Sequence, residues 1–109
     1  MVNKYDKLVR DKIPEIIKQN GGSPKVEILN DESYFNALNR KLTEEVAEYL
    51  EKYSVEELAD IMEVIHAIAK HKELTMADLE CIRLKKLDER GGFDGRISLV
   101  EVDKRGIKP

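Results

Sequence analysis

The chain has 109 residues and a formal net charge of -3, from 22 acidic and 19 basic side chains. This length suits one domain with a modest core, so we expect a single domain over residues 1–109. The charge gives no general attraction to nucleic acid or to anionic membranes, and neither is an expected partner. One cysteine excludes an intramolecular disulfide, and no apolar run has the length of a signal peptide or membrane span. Together these features favour a soluble, cytoplasmic protein.

The first predicted element is a short helix within KLVRDKIPEIIKQNGG, residues 7–22. Pro14 suits the first turn of a helix, and the glycine pair at Gly21 and Gly22 ends it. The next segment, KVEIL at residues 25–29, alternates apolar and polar side chains and predicts a short strand.

Three longer helices follow in chain order. An apolar stripe predicts a helix from Asp31 to Tyr53, capped by Asn30 or by Asp31 itself. Further helices are predicted over residues 54–70 and 75–90. The segment RISLVEV, residues 96–102, alternates and can pair with KVEIL as a minor two-stranded β ribbon. The predicted fold class is mainly α, with four helices.

Two acidic pairs stand on consecutive predicted helices. Glu45 and Glu48 are three residues apart, and Glu57 and Asp60 repeat that spacing, so each pair shares one helix face. A short connection makes the two helices an antiparallel hairpin, which can bring the pairs opposite one another. Four carboxylates in a partly desolvated site need a compensating cation. An oxygen-only ligand set points to Mg²⁺, or to Mn²⁺.

Two other interpretations compete with a metal site. In a chain this acidic, such carboxylates can simply form the solvated face of a charged helix. Ser54 and Glu57 also fit a capping box, in which the glutamate bonds back to the first amide of its helix. Neither interpretation explains Asp60 beside the apolar arc, nor the matched pair on the preceding helix, so the pattern favours a metal.

These motifs resemble those of a known superfamily. Glu44-Glu45-x-x-Glu48 followed by Glu57-x-x-Asp60 looks like the EExxE and ExxD motifs of the all-α nucleoside triphosphate pyrophosphohydrolases, which include MazG, phosphoribosyl-ATP pyrophosphohydrolase and dimeric dUTPases. The segments KLVRDKIPEII, KLTEEVAEYLE, VEELADIMEVIHAIA and ERGGFD resemble a compact MazG-like branch over nearly the whole chain. The resemblance implies a four-helix, MazG-like bundle.

The resemblance also implies a chemistry. Glu45, Glu48, Glu57 and Asp60 would bind Mg²⁺, with Glu44 as an additional candidate ligand. Members of the superfamily cleave nucleotides between the α and β phosphates, giving a nucleoside monophosphate and pyrophosphate. They associate as homodimers or higher oligomers. The connection between the two acidic motifs is shorter here than is usual in the family.

Roles for individual residues follow from this chemistry. Glu45 or Glu48 can accept a proton from the attacking water. Lys41, Arg10 and Lys7 are the candidates for contacts with the substrate's phosphates.

Two alternative functions remain open at this point. One is hydrolysis of phosphoribosyl-ATP. The other is a non-catalytic helical interaction module that retains the acidic motif as solvated or structural charge.

Overall fold

A computed structural model describes residues 2–106 of the chain. It contains four α-helices: α1 (Ile13–Gln19), α2 (Asp31–Lys52), α3 (Val55–His71) and α4 (Met76–Arg90). The chain divides into two compact units, one up to Met76 and one from Ala77 onward. The mainly α fold class is confirmed, whereas one domain over residues 1–109 and the packing of a four-helix bundle stay predictions.

Helix α1 ends where the glycine pair predicts. The amide of Gly22 donates a hydrogen bond to the carbonyl of Ile17 at 2.9 Å, and the amide of Gly21 bonds the carbonyl of Lys18 at 3.0 Å. Gly21 has a φ of +89°, a backbone conformation that residues with a Cβ adopt only at a cost in free energy. This Schellman arrangement satisfies carbonyls that the helix end would leave unpaired, and it turns the chain toward α2.

Helices α2 and α3 form an antiparallel hairpin. The Asn30 side chain caps α2 by accepting a hydrogen bond from the Ser33 amide at 2.9 Å. Tyr53 then adopts a left-handed conformation that ends α2, and Ser54 is the N-cap of α3. Because only Tyr53 and Ser54 lie between the helices, α3 folds back along α2.

The hairpin contains the buried core of the first unit. Ala37 and Leu38 on α2 and Val64 and Ala69 on α3 are its buried apolar residues. Burying these side chains between the two helices contributes hydrophobic stabilisation to this unit. The same two helices also bury two glutamates, Glu45 and Glu57, so their interface is the candidate position of a functional site.

Helix α4 has no buried residue. Within it, Arg83 donates hydrogen bonds to the Glu80 carboxylate one turn earlier, and this lowers the pKa of Glu80. No helix within residues 2–106 has both the length and the apolar composition needed to cross a bilayer.

The predicted β ribbon is wrong. Residues 25–29 and 96–102 are both irregular, and residues 2–106 contain no strand. Their apolar side chains remain exposed, as at Ile28 and Ile97. Alternation describes the two faces that a strand would have, but a strand also needs a hydrogen-bonded partner strand, and neither segment has one in the part of the chain that the structure describes.

Candidate metal centre

Three carboxylates converge on the inner faces of α2 and α3. Glu45 comes from α2, and Glu57 and Asp60 come from the first two turns of α3. One oxygen from each lies within 4.8 Å of the others. Glu45 is 7% exposed, Glu57 is 8% exposed, and Asp60 is half-buried. Three like charges held this close in a partly desolvated site repel one another, so the cluster needs cations.

Each of these acids faces one basic side chain. The Lys41 Nζ lies 3.2 Å from Glu45 Oε1, and the Lys52 Nζ lies 3.8 Å from Glu57 Oε1. Arg10 Nη2 donates a hydrogen bond to Asp60 Oδ1 at 2.8 Å. The cations reduce the repulsion, but Lys52 and Arg10 are more than half exposed, so solvent screens their contribution.

One oxygen of the cluster is left without a partner. Glu45 Oε2 is buried and accepts no hydrogen bond from any residue between 2 and 106. Its side chain is 9% exposed, so water does not compensate the charge. Lys41 pairs with the other oxygen of this carboxylate, but leaving a buried acceptor atom without a hydrogen bond costs about 1–3 kcal/mol. A hard divalent cation held by carboxylate oxygens would satisfy this atom, so the donor set fits such an ion.

The capping-box interpretation of Glu57 does not account for its position. Ser54 makes no side-chain capping hydrogen bond in α3. The Glu57 carboxylate instead faces Lys52 and lies in the cluster with Glu45 and Asp60. Its burial is therefore better explained by the cluster than by the helix end.

A cleft of about 420 Å³ borders the cluster within the first unit. One side is the segment of residues 8–12, which precedes α1 and which we call the N-terminal block. Arg10, Lys41, Glu45 and Asp60 give the cleft a charged region. Its apolar wall is built from Leu8, Val9, Tyr34, Leu38, Val64 and Ala67. Such a cavity can take a ligand that has both an anionic group and an apolar or aromatic part.

Not every predicted site residue lies in the cluster. Glu48 is half-buried on α2 and lies outside the three-acid group found among residues 2–106. Glu44 also lies outside it, and its Oε1 is 3.7 Å from both Lys7 Nζ and Lys41 Nζ. Of the predicted phosphate contacts, Arg10 and Lys41 line the cleft. Lys7 does not, and Glu44 is the one acid within residues 2–106 with which it forms an ion pair.

Two further residues were not predicted as part of the site. Lys52 faces Glu57, and Glu63 lines the cleft. The Glu63 position is visible in the sequence, since it continues the three-residue spacing from Asp60. The Lys52 contact has no comparable signal, because it depends on how the connection between α2 and α3 turns.

Comparisons with known proteins leave the family open. No protein-family model matches the chain, and no solved structure matches it. An uncharacterized protein of Mycolicibacterium smegmatis is 54% identical over 41 residues, which are 38% of this chain and 42% of that protein. The chain thus matches less than half of this relative's length. The resemblance to the MazG-like enzymes stays a prediction.

Proposed function

We propose that the protein is a Mg²⁺-dependent nucleoside triphosphate pyrophosphohydrolase, which releases a nucleoside monophosphate and pyrophosphate. The observation that carries the proposal is the cluster of Glu45, Glu57 and Asp60 with its buried, unpartnered Glu45 oxygen. The resemblance of the acidic motifs to those of the all-α pyrophosphohydrolases supplies the reaction. The cleft beside the cluster supplies room for a substrate.

In this proposal Glu45, Glu57 and Asp60 hold the ion, with Mn²⁺ as an alternative to Mg²⁺. When bound, the ion would neutralise triphosphate oxygens and make a nearby water more acidic. Glu48 lies one turn along α2 from Glu45, and outside the cluster. Glu45 would be committed to the ion, so of the two candidate bases Glu48 is the one left to accept the proton from the attacking water.

The cations of the cleft would bind the anionic end of the substrate. Lys41 and Arg10 line the cleft beside the acids, so both can reach a phosphate that approaches the cluster. Lys7 is near Glu44 and would act at longer range through its charge. Tyr34, on the apolar wall, offers a ring against which a nucleobase can stack.

The same resemblance suggests the protein's location, oligomeric state and partners. The protein would act in the cytoplasm as a homodimer or higher oligomer, on a nucleotide substrate and without nucleic-acid or membrane partners.

The direct test is pyrophosphate release from standard and modified nucleoside triphosphates and from phosphoribosyl-ATP, with Mg²⁺ and with chelator. We expect Mg²⁺-dependent turnover of at least one triphosphate. Glu57→Gln and Asp60→Asn should each lower turnover by about 100-fold or more, because each removes an ionic ligand. Glu56→Gln is the matched control: it changes the adjacent, exposed residue by the same chemistry and should leave turnover unchanged. Full activity in both cluster variants would contradict the proposal.

A second candidate is a non-catalytic helical module. It is favoured by the cation that each acid of the cluster already faces, since Lys41, Lys52 and Arg10 can serve as structural counter-charges. The module predicts no turnover and no change of melting temperature when Mg²⁺ and a nucleotide are added together. A ligand that binds only the folded state raises that temperature, so a rise would count against the module.

A further inference from the structure

Arg10 links the N-terminal block to the acidic cluster. It is 50 positions from Asp60 in the chain, yet its Nη2 donates a hydrogen bond to Asp60 Oδ1 at 2.8 Å. Both side chains line the same cleft. Arg10 is therefore a cation bound directly to one of the three acids that would hold a metal.

A divalent cation and this guanidinium compete for the same carboxylate. Asp60 lies within 4.8 Å of the other two acids, so an ion held by all three would stand within a few ångströms of Arg10. Two positive charges this close repel, and the hydrogen bond between Arg10 and Asp60 loses its electrostatic advantage once the ion neutralises the carboxylate. The Arg10 and Asp60 side chains are 56% and 38% exposed, so their pair is weak enough to exchange.

We infer that Arg10 is a built-in competitor of the metal: it holds Asp60 in the metal-free protein and is released by metal binding to bind a phosphate in the same cleft. This inference rests on the metal site of the proposed function. The released guanidinium keeps its place in the N-terminal block beside the cleft. Its planar donor pattern suits two phosphate oxygens at once.

The exchange couples the two binding events. A metal that frees Arg10 raises the affinity for an anion, and an anion that holds Arg10 away from Asp60 raises the affinity for the metal by the same factor. Substrate and metal would thus favour each other through the protein as well as through their direct contact.

The first test measures Mn²⁺ binding without nucleotide, from the electron paramagnetic resonance signal of the free ion. Arg10→Gln removes the competitor and should lower the Kd for Mn²⁺ by about two- to fivefold, the range expected for an exposed ion pair. Lys12→Gln is the matched control, since Lys12 is in the same block, lines the same cleft and carries the same charge. The control should shift the Kd by less than about 1.5-fold, because a screened charge without an ion pair to the cluster has little effect.

The second test measures binding of inorganic tripolyphosphate by calorimetry, with Mn²⁺ saturating. Arg10→Gln should now bind about tenfold more weakly than the unchanged protein, because a charge-assisted bidentate contact is lost. The signature of the exchange is this opposite sign: tighter metal binding and weaker anion binding from one substitution.

The outcomes separate this inference from the proposed function. If Arg10→Gln binds Mn²⁺ no more tightly than the unchanged protein, Arg10 only positions Asp60 and the inference is wrong. The proposed pyrophosphohydrolase function is not affected by that result. If Mn²⁺ fails to bind the unchanged protein, both proposals fail. If Arg10→Gln shows the opposite shifts but no triphosphate is hydrolysed, the exchange stands and the proposed enzyme does not.

Discussion

At the scale of single residues, Glu45 is where stability and function conflict. A buried carboxylate oxygen without a hydrogen bond weakens the folded protein. The helix could place an apolar side chain there and extend the core that Leu38 and Val64 form. A position where a polar atom is buried without a hydrogen bond, at a cost in stability, is typical of a functional site. Glu45 is thus the residue at which a bound ion would most reduce the cost in stability.

This conflict predicts how the metal changes stability. Mg²⁺ or Mn²⁺ at about 100 times its Kd should stabilise the folded state by about 2.7 kcal/mol, because it binds only that state. Glu45→Gln should lose most of this gain, since an amide carries no charge for the ion. The measurement is the melting temperature followed by circular dichroism, with metal and with chelator.

Glu51→Gln provides the control for that experiment. Glu51 is an exposed acid on the same helix, so this variant changes the net charge equally and should keep the full metal response. An equal response in Glu45→Gln would show that the ion binds elsewhere.

Sequence reasoning could predict the acids of the site but not their final grouping. The three-residue spacing predicts that Glu57 and Asp60 share a helix face, as they do. It predicts the same for Glu45 and Glu48, yet only Glu45 joins the cluster. Spacing defines a face along one helix, whereas the distance across to the next helix depends on how the two pack. The contact between Arg10 and Asp60 is a tertiary contact and has no signal in local spacing.

At the scale of elements, local signals predicted the helices well and the strands wrongly. The expected helix from Asp31 to Tyr53 ends one residue earlier as α2, with Asn30 as its cap. Caps and apolar periodicity act within a few residues of the chain, so they can be recognised in the sequence. The segments 25–29 and 96–102 have the alternation of strands, but pairing is a long-range event that no local pattern supplies.

The end of α3 offers a test of such a local signal. Glu73 has a φ of +62°, and its amide bonds the carbonyl of Lys70 while the amide of Leu74 bonds that of Ala69. This is a Schellman cap with a glutamate where glycine is preferred. Glu73→Gly should therefore raise the free energy of unfolding by about 0.5 to 1 kcal/mol, because it removes the steric cost of the left-handed conformation.

Urea denaturation followed by circular dichroism would measure this change, and Glu73→Ala is the control. Alanine keeps the Cβ that makes the conformation costly, so it should bring no comparable gain. Equal stabilisation by both substitutions would mean that removing the glutamate charge, rather than relieving the backbone, is responsible.

At the scale of the whole molecule, the exposure of apolar side chains differs between the α2–α3 hairpin and the C-terminal part of the chain. The hairpin of α2 and α3 buries Leu38 and Val64, while α4 has no buried residue. Beyond α4, five large apolar side chains lie exposed within ten residues: Phe93, Ile97, Leu99, Val100 and Val102. Apolar side chains concentrated in this way are typical of a surface that another protein covers.

The family resemblance implies an oligomer, and we propose that a second copy of the chain covers this surface. We expect light scattering after size exclusion to give a mass of at least twice 12.5 kDa. Replacing Phe93, Ile97 and Val100 by serine should return the mass to that of one chain, because it removes the most exposed apolar area of the segment. The control replaces Leu50 and Val55, two exposed apolar residues of the hairpin, by serine as well and should leave the assembly intact. A single-chain mass for the unchanged protein would contradict self-association, and an assembly that survives the triple substitution would place its interface elsewhere.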